Sequence, residues 1–274
     1  MKSILVPADY SEASNNAVQY AAELAKSSKA KIILLHAYQI PLPTGDVPVM
    51  LISPAELEKE NEKRIKKLER TLLKKFSDKI KIEHVIRAGF VTEEILSVAG
   101  EKNADLIVMG IKGESKLSRA LIGSTTVSII KKTKTPVLAI PQDCKFKKIE
   151  SIVLAYDYKS LIAKEVLEKL KRFVNLFKAK LLVLDVVRPE EVPVYENAVA
   201  GIKIENSLSE IKHSLYFPEG EDIVEGINTF TDTYKADWLV MLSHKHKFLS
   251  GLFHQSNTRQ MAFHTHVPLL ALHD

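Results

Sequence analysis

The residues best suited to chemistry fall in two short groups. Met109-Gly110-Ile111-Lys112-Gly113 is followed, after nine residues, by Gly123-Ser124-Thr125-Thr126. The first glycines lie just past an apolar run, where a missing Cβ lets a ligand approach the backbone and permits positive φ. Gly123-Ser124 falls where a helix should begin. The first amides of a helix have no partner within it, so together with the neighbouring hydroxyls they suit an anion. Lys112, Lys116 and Arg119 stand between the two glycine groups and favour phosphate. The second group is Pro7-Ala8-Asp9, which closes the apolar run beginning at Ser3, with Ala37 closing the run from Lys31. Asp9 is placed to accept hydrogen bonds from ribose hydroxyls. Each feature alone has a plainer reading, since glycines after a strand make turns and an Asp at a strand end caps a helix. The spacing is neither the Walker A loop nor the Gly-x-Gly-x-x-Gly fingerprint. Their convergence beyond the carboxyl ends of a parallel sheet, near its switch point, points to a nucleotide.

Such a convergence needs a particular frame. After Asp9 and Ser11, Ala13, Ala17, Tyr20, Ala21 and Leu24 recur at helical spacing. A strand run at 31–37 leads through a Pro-rich loop to a long amphipathic helix with the stripe Ile65, Leu68, Leu72 and Phe76. Strand patterns at 80–86, 105–109 and 136–140 alternate with helices near 93–102 and 124–133. Five short apolar strands alternating with helices predict a parallel sheet covered on both faces.

The second half replays this order. Glu150-Ser151-Ile152-Val153-Leu154-Ala155-Tyr156-Asp157 matches residues 2–9, and a helix stripe follows at Ala163, Val166, Leu167, Leu170, Val174 and Phe177. Ala236–Met241 mirrors Ala104–Met109, and Thr265–Leu272 mirrors the strand ending at Ile140. At 274 residues, with ~150 per domain, the chain is read as two domains, 1–142 and 149–274, joined by polar Gln142–Lys148. The last strand of each half is short and apolar and is followed by no later element, so the two edges are expected to pair within one chain. Past its fourth strand the second half departs from the first. Ser243 and His246 stand where Gly110 and Gly113 stood, and Gln255-Ser256 replaces Gly123-Ser124, so this half is expected to bind no nucleotide.

Composition narrows the classes further. Residues 1–142 hold 22 Lys and Arg against 16 Asp and Glu, and the rest 17 against 18, giving the net charge of +5. In the first half the signs alternate along one helix, as in residues 56–64, which marks a solvated face rather than a nucleic-acid surface. No apolar run approaches the ~20 residues of a membrane helix, and the amino terminus lacks signal-peptide architecture. With one cysteine the chain suits a reducing compartment, and it is expected to be cytoplasmic. Cys144 lies beside Lys145, Lys147 and Lys148, which are near enough to lower its pKa. Six of the nine histidines lie from His244 onward, but the two His-x-His pairs fall in different elements with no thiolate near, so no metal site is expected. His36 and His84, in strand patterns, are expected to be satisfied core residues. No nucleophile, base and orienting acid come together, so no catalytic set is assigned.

The Gly110-x2-Gly113-x9-Gly123-Ser124 spacing, the opening Ile4-Leu5-Val6-Pro7-Ala8-Asp9-Tyr10-Ser11 and the closing Thr135-Pro136-Val137-Leu138-Ala139-Ile140 together resemble the universal stress protein family. The whole chain resembles its tandem members. That resemblance implies two Rossmann-like domains of the adenine nucleotide alpha hydrolase-like type, each with a five-stranded parallel sheet. It also implies that Pro7, Ala8, Asp9 and Ala37 surround adenine and ribose, that Met109, Gly110 and Gly113 continue the wall, and that Gly123, Ser124, Thr125 and Thr126 take the phosphates. ATP or AMP is the implied ligand, with Mg or Mn on the phosphates. Single-domain relatives resemble dimers joined at the last strand, so a pseudo-dimer of the two halves is expected, with a homodimer as a further possibility. Three functions fit: a nucleotide-responsive stress regulator, a slow ATPase or phosphotransferase, and a structural adaptor.

Overall fold

The computed structural model describes residues 1–40, 53–111, 124–156, 162–187, 204–243 and 265–273. The first half contributes β1 (Ser3–Pro7), β2 (Lys31–Tyr38), β3 (Lys81–Ala88), β4 (Leu106–Ile111) and β5 (Val137–Pro141). The second contributes β6 (Ser151–Ala155), β7 (Lys180–Leu184), β8 (His213–Tyr216), β9 (Trp238–Ser243) and β10 (Leu269–His273). All ten lie in one sheet, in the order β3-β2-β1-β4-β5-β10-β9-β6-β7-β8. Within each half the neighbours are parallel and the strand order is the same. The halves meet at β5 and β10, which pair antiparallel with Leu270 opposite Leu138 and Ala271 opposite Val137. The two edges left open by the sequence pattern therefore cover each other. Because this one pair is antiparallel, the carboxyl ends of the first half's strands and those of the second point to opposite ends of the sheet.

The inner strands are apolar and buried because both faces are covered, whereas the edge strands β3 and β8 carry polar residues. On one face lie α1 (Glu12–Ser28), α2 (Pro54–Phe76) and, from the second half, α5 (Lys164–Phe177). On the other lie α3 (Val91–Glu101) and α4 (Ser124–Lys132) of the first half and α6 (Ile223–Thr233) of the second. Among the described residues no helix is long and apolar enough to cross a membrane. The α1 face is rich in alanine, with Ala13, Ala17, Ala21 and Ala25 buried, so the helix sits close to the sheet. Helix α2 begins in a reciprocal cap, Ser53 with Glu56, followed by Pro54 at its first position. Its expected stripe is the buried one at Ile65, Leu72 and Phe76, with Leu68 partly covered, and it continues to a residue the apolar pattern passed over, Asn61.

The amino ends of the central strands are fixed alike in both halves. Asp105 accepts from the backbone N–H groups of Lys2 and Ser3 (2.5 and 3.1 Å), and Asp237 from those of Glu150 and Ser151 (2.7 and 2.9 Å). The core beneath α1, α2 and α5 runs unbroken across the seam. There the Trp238 indole donates to the Tyr20 phenol oxygen at 2.8 Å, tying β9 of one half to α1 of the other. Burial pushes the Tyr20 phenol well up, against the downward pull of that hydrogen bond. The connecting segment is held too, since Asn16 on α1 donates to the carbonyls of Pro141 and Cys144 (3.1 and 2.8 Å). Cys144 corrects the expectation drawn from its neighbours: it is half-buried, and burial raises its thiol pKa more than Lys147 and Lys145 lower it.

Candidate nucleotide site

In the first half the chain goes from β1 to β2 on one side and returns to β4 on the other, so the switch point lies between the carboxyl ends of β1 and β4. The turn after β1 is tightly bonded. Ala8 donates its N–H to the Leu35 carbonyl at 2.7 Å, and the Asp9 N–H donates to Ser14 Oγ at 3.2 Å. Asp9 Oδ1 accepts from the Ser11 N–H at 2.9 Å, and Ser11 Oγ accepts from the Ser14 N–H at 3.2 Å, capping α1. Asp9 is exposed, and Oδ2 has no hydrogen-bond partner among the described residues, so one face of the carboxylate is open to a ligand.

Met109 and Gly110 lie near the carboxyl end of β4, beside this turn. A Cβ on Gly110 would lie 2.3 Å from the Ala13 carbonyl oxygen and 3.0 Å from the Ser14 nitrogen. Its missing side chain is thus accounted for by the first turn of α1, which presses onto the strand, rather than by a ligand. The Gly110 carbonyl accepts from Thr126 Oγ1 at 3.1 Å, and this bond draws the amino end of α4 to the end of β4. Ser124 opens that helix, Thr125 is half-buried and Thr126 is buried. Pro7, Ala8, Asp9, Met109, Gly110, Ser124, Thr125 and Thr126 accordingly come from elements that meet at one rim. Ala37 lies on the neighbouring strand, where Leu35 pairs with Pro7. Gly113 and Gly123, with Lys112, Lys116 and Arg119, lie outside the described residues.

Residues beyond the expected set also gather here. His36 binds the Ala8 carbonyl through Nδ1 at 2.7 Å and Asn61 through Nε2 at 3.1 Å, so it is satisfied, as expected, but it is half-buried at the site's backbone rather than in the core. Tyr10 takes a positive φ of 65° and lays its ring 4.8 Å from that of His36. Burial raises the Tyr10 phenol pKa, with Arg64 pulling it back. A histidine inside an apolar strand is a visible signal, but its partner stands 25 residues away across the Pro-rich loop. His84, by contrast, finds Glu69 at 2.7 Å on α2.

Among the described residues the second half differs from the first at the end of its fourth strand. Val137 and Leu269 hold equivalent places in β5 and β10, pairing with Ile107 on β4 and Leu239 on β9. Three residues further on, Gly110 therefore corresponds to Leu242, and Ser243 to Ile111, a shift of one from the expected match. Helix α5 differs accordingly. Both α1 and α5 end in a left-handed lysine, Lys29 and Lys178, but α1 has 17 residues and α5 has 14. The missing residues lie at the amino end, the turn that packs on Gly110 in the first half. The histidine-rich segment to His264 and the pair Gln255-Ser256 lie outside the described residues, while His266 pairs with Asp232 at 2.6 Å.

A doubly wound α/β sheet with a helix amino end at its switch point sets the structural class. Within it, the profile of the universal stress protein family matches residues 1–141, and the chain belongs to that family. A universal stress protein of Methanocaldococcus jannaschii is 29% identical over 152 residues, covering 51% of this chain and 94% of the relative. A second from the same organism is 32% identical over 155 residues, covering 53% and 84%. The crystal structure of a universal stress protein from Archaeoglobus fulgidus superposes with a TM-score of 0.77 at 21% identity, covering 99% of this chain and 98% of that one, so the fold is shared across both halves.

Proposed function

We propose that the first half binds an adenine nucleotide, ATP or AMP, and that occupancy makes the protein a nucleotide-responsive regulator. Adenine and ribose lie against Pro7, Ala8, Asp9, Ala37, Met109, Gly110 and Gly113, with Asp9 accepting from the ribose hydroxyls. The phosphates lie at Gly123, Ser124, Thr125 and Thr126, where free amides at a helix start favour negative charge. The observation that carries this reading is the Thr126–Gly110 bond, which sets the start of α4 beside Asp9 at the switch point. A hard divalent ion, Mg or Mn, takes oxygen ligands and enters with the phosphates. Among the described residues no three His, Cys, Asp or Glu side chains group to hold it without them. We read residues 1–142 as the binding unit and 149–274 as a unit that keeps the fold for assembly, with Leu242 standing where Gly110 would be needed.

Calorimetric titration with ATP should saturate near one equivalent per chain, and Gly113→Val or Gly123→Val should abolish the heat while the circular dichroism stays unchanged. No heat in the wild-type protein would sink the nucleotide reading. Two equivalents would sink the assignment of the second half.

A further inference from the structure

The unit formed by His36, Asn61 and Tyr10 plays no part in that reading. Asn61 is 6% exposed on α2, and its Nδ2 has no hydrogen-bond partner among the described residues. The Tyr10 hydroxyl is likewise buried without one among them. Tyr10 holds its left-handed backbone, an unfavourable conformation for a bulky residue, against the His36 ring, and Tyr38 stacks on the same ring at 6.2 Å and 18°. Asn15 Nδ2 donates to the Tyr10 carbonyl at 3.0 Å and helps to keep that turn.

Proton bookkeeping explains why an amide faces the ring. A carbonyl oxygen only accepts, so His36 Nδ1 carries a proton toward Ala8. Asn61 faces Nε2 at 3.1 Å, and its amide, carrying both a donor and an acceptor, can meet that nitrogen in either role, whereas Leu could meet it in neither.

The peptide between Ala8 and Asp9 is planar and is held at both ends: its oxygen by His36 and its N–H by Ser14. We infer that His36 and Asn61 are positioning residues for the nucleotide site. The ring fixes the Ala8–Asp9 peptide and so aims the Asp9 carboxylate, and Asn61 locks the ring from α2. This rests on the nucleotide reading above, and through it α2 shapes a rim it does not line.

Two near-isosteres separate this role from plain packing. Asparagine at position 36 places an amide nitrogen near the Nδ1 position, while glutamine reaches past it toward the Nε2 position. ATP titrations and thermal unfolding of wild type, His36→Asn, His36→Gln and Asn61→Leu form the test. His36→Asn should keep its affinity within about twofold, and His36→Gln should lose about tenfold at a similar Tm, the scale of one hydrogen bond. Asn61→Leu should fall between them. Equal affinity in the two His36 variants, or losses that simply track Tm, would overturn the inference. The amide resonance of Asp9, recorded without nucleotide, provides an independent reading. It should move in His36→Gln and stay near its wild-type position in His36→Asn. A resonance that moves alike in both variants, or in neither, overturns the positioning role. Wild-type protein that binds no ATP overturns the nucleotide reading alone, since the Asp9 resonance still decides the other.

Discussion

The two halves share strand order, the aspartate at the start of the fourth strand and a left-handed lysine closing the first helix, yet they differ at the rim. Gly110 admits the first turn of α1, its counterpart in the second half is Leu242, and α5 is three residues shorter than α1. At 1.5 Å per residue that is about 4.5 Å of helix. In the first half this turn carries Ser14, which holds the Asp9 amide. In the first half the missing side chain at Gly110 leaves room for the turn that anchors Asp9, before any ligand contact is considered. The glycine acts through the helix it admits.

Importing the second half's residue should have the largest effect. Gly110→Leu is expected to displace the start of α1, remove ATP binding and lower the unfolding free energy by about 1–3 kcal/mol, the scale of overpacking. Its converse, Leu242→Gly, should leave the stoichiometry at one, because the α5 turn is still missing. A second equivalent of ATP there would mean that this residue alone sets the difference. The paired aspartates come next. Asp237 is 7% exposed, accepts two backbone N–H groups and meets Lys147 at 2.9 Å, while Asp105 is exposed. Asp237→Ala should cost about 1.5–3 kcal/mol in urea unfolding and Asp105→Ala about 0.5–1.5. Equal losses would show that burial does not separate the two staples. Tyr20→Phe strands the buried Trp238 N–H and should cost about 1–3 kcal/mol, with unfolding still in one transition because the halves share a core. Two transitions would divide that core at the seam. The smallest effect concerns the connecting segment. With its thiol pushed up by burial, Cys144 should react with iodoacetamide more slowly at neutral pH than a free thiol, and Lys145→Ala should change that rate little.

The strand order and the closing edges were legible because buried parallel strands read as continuous apolar runs, and a duplicated run is hard to mistake. The third strand of the second half, β8, escaped notice: it is four residues long, starts with His213-Ser214 and is covered on one side only, by β7. The match of Gly110 to Ser243 slipped by one against the sequence's own repeat, in which Ala236–Met241 mirrors Ala104–Met109 and Leu242 falls opposite Gly110, as the pairing of β9 with β10 bears out. In the candidate site, the residues on the ends of β1 and β4 were readable from their position in the repeat. Asn61 was not, because a polar residue on an amphipathic stripe looks like solvent-facing helix until the strand beneath it is known. Cys144 misled for a related reason. Neighbouring lysines are visible in a sequence, and the desolvation that outweighs them is not.

The bond between Trp238 and Tyr20 also has an optical consequence. Trp238 is the chain's one tryptophan, so the protein's indole emission arises from the seam between its halves, with Phe173 and Phe177 edge-on to the ring at 5.9 and 5.1 Å. The phenol that accepts its hydrogen bond sits on α1, the helix whose other end frames the Asp9 turn. Unlabelled protein therefore reports, as a change of colour or intensity, any ligand that shifts α1 against the second half, and stays silent toward one that leaves the helix in place.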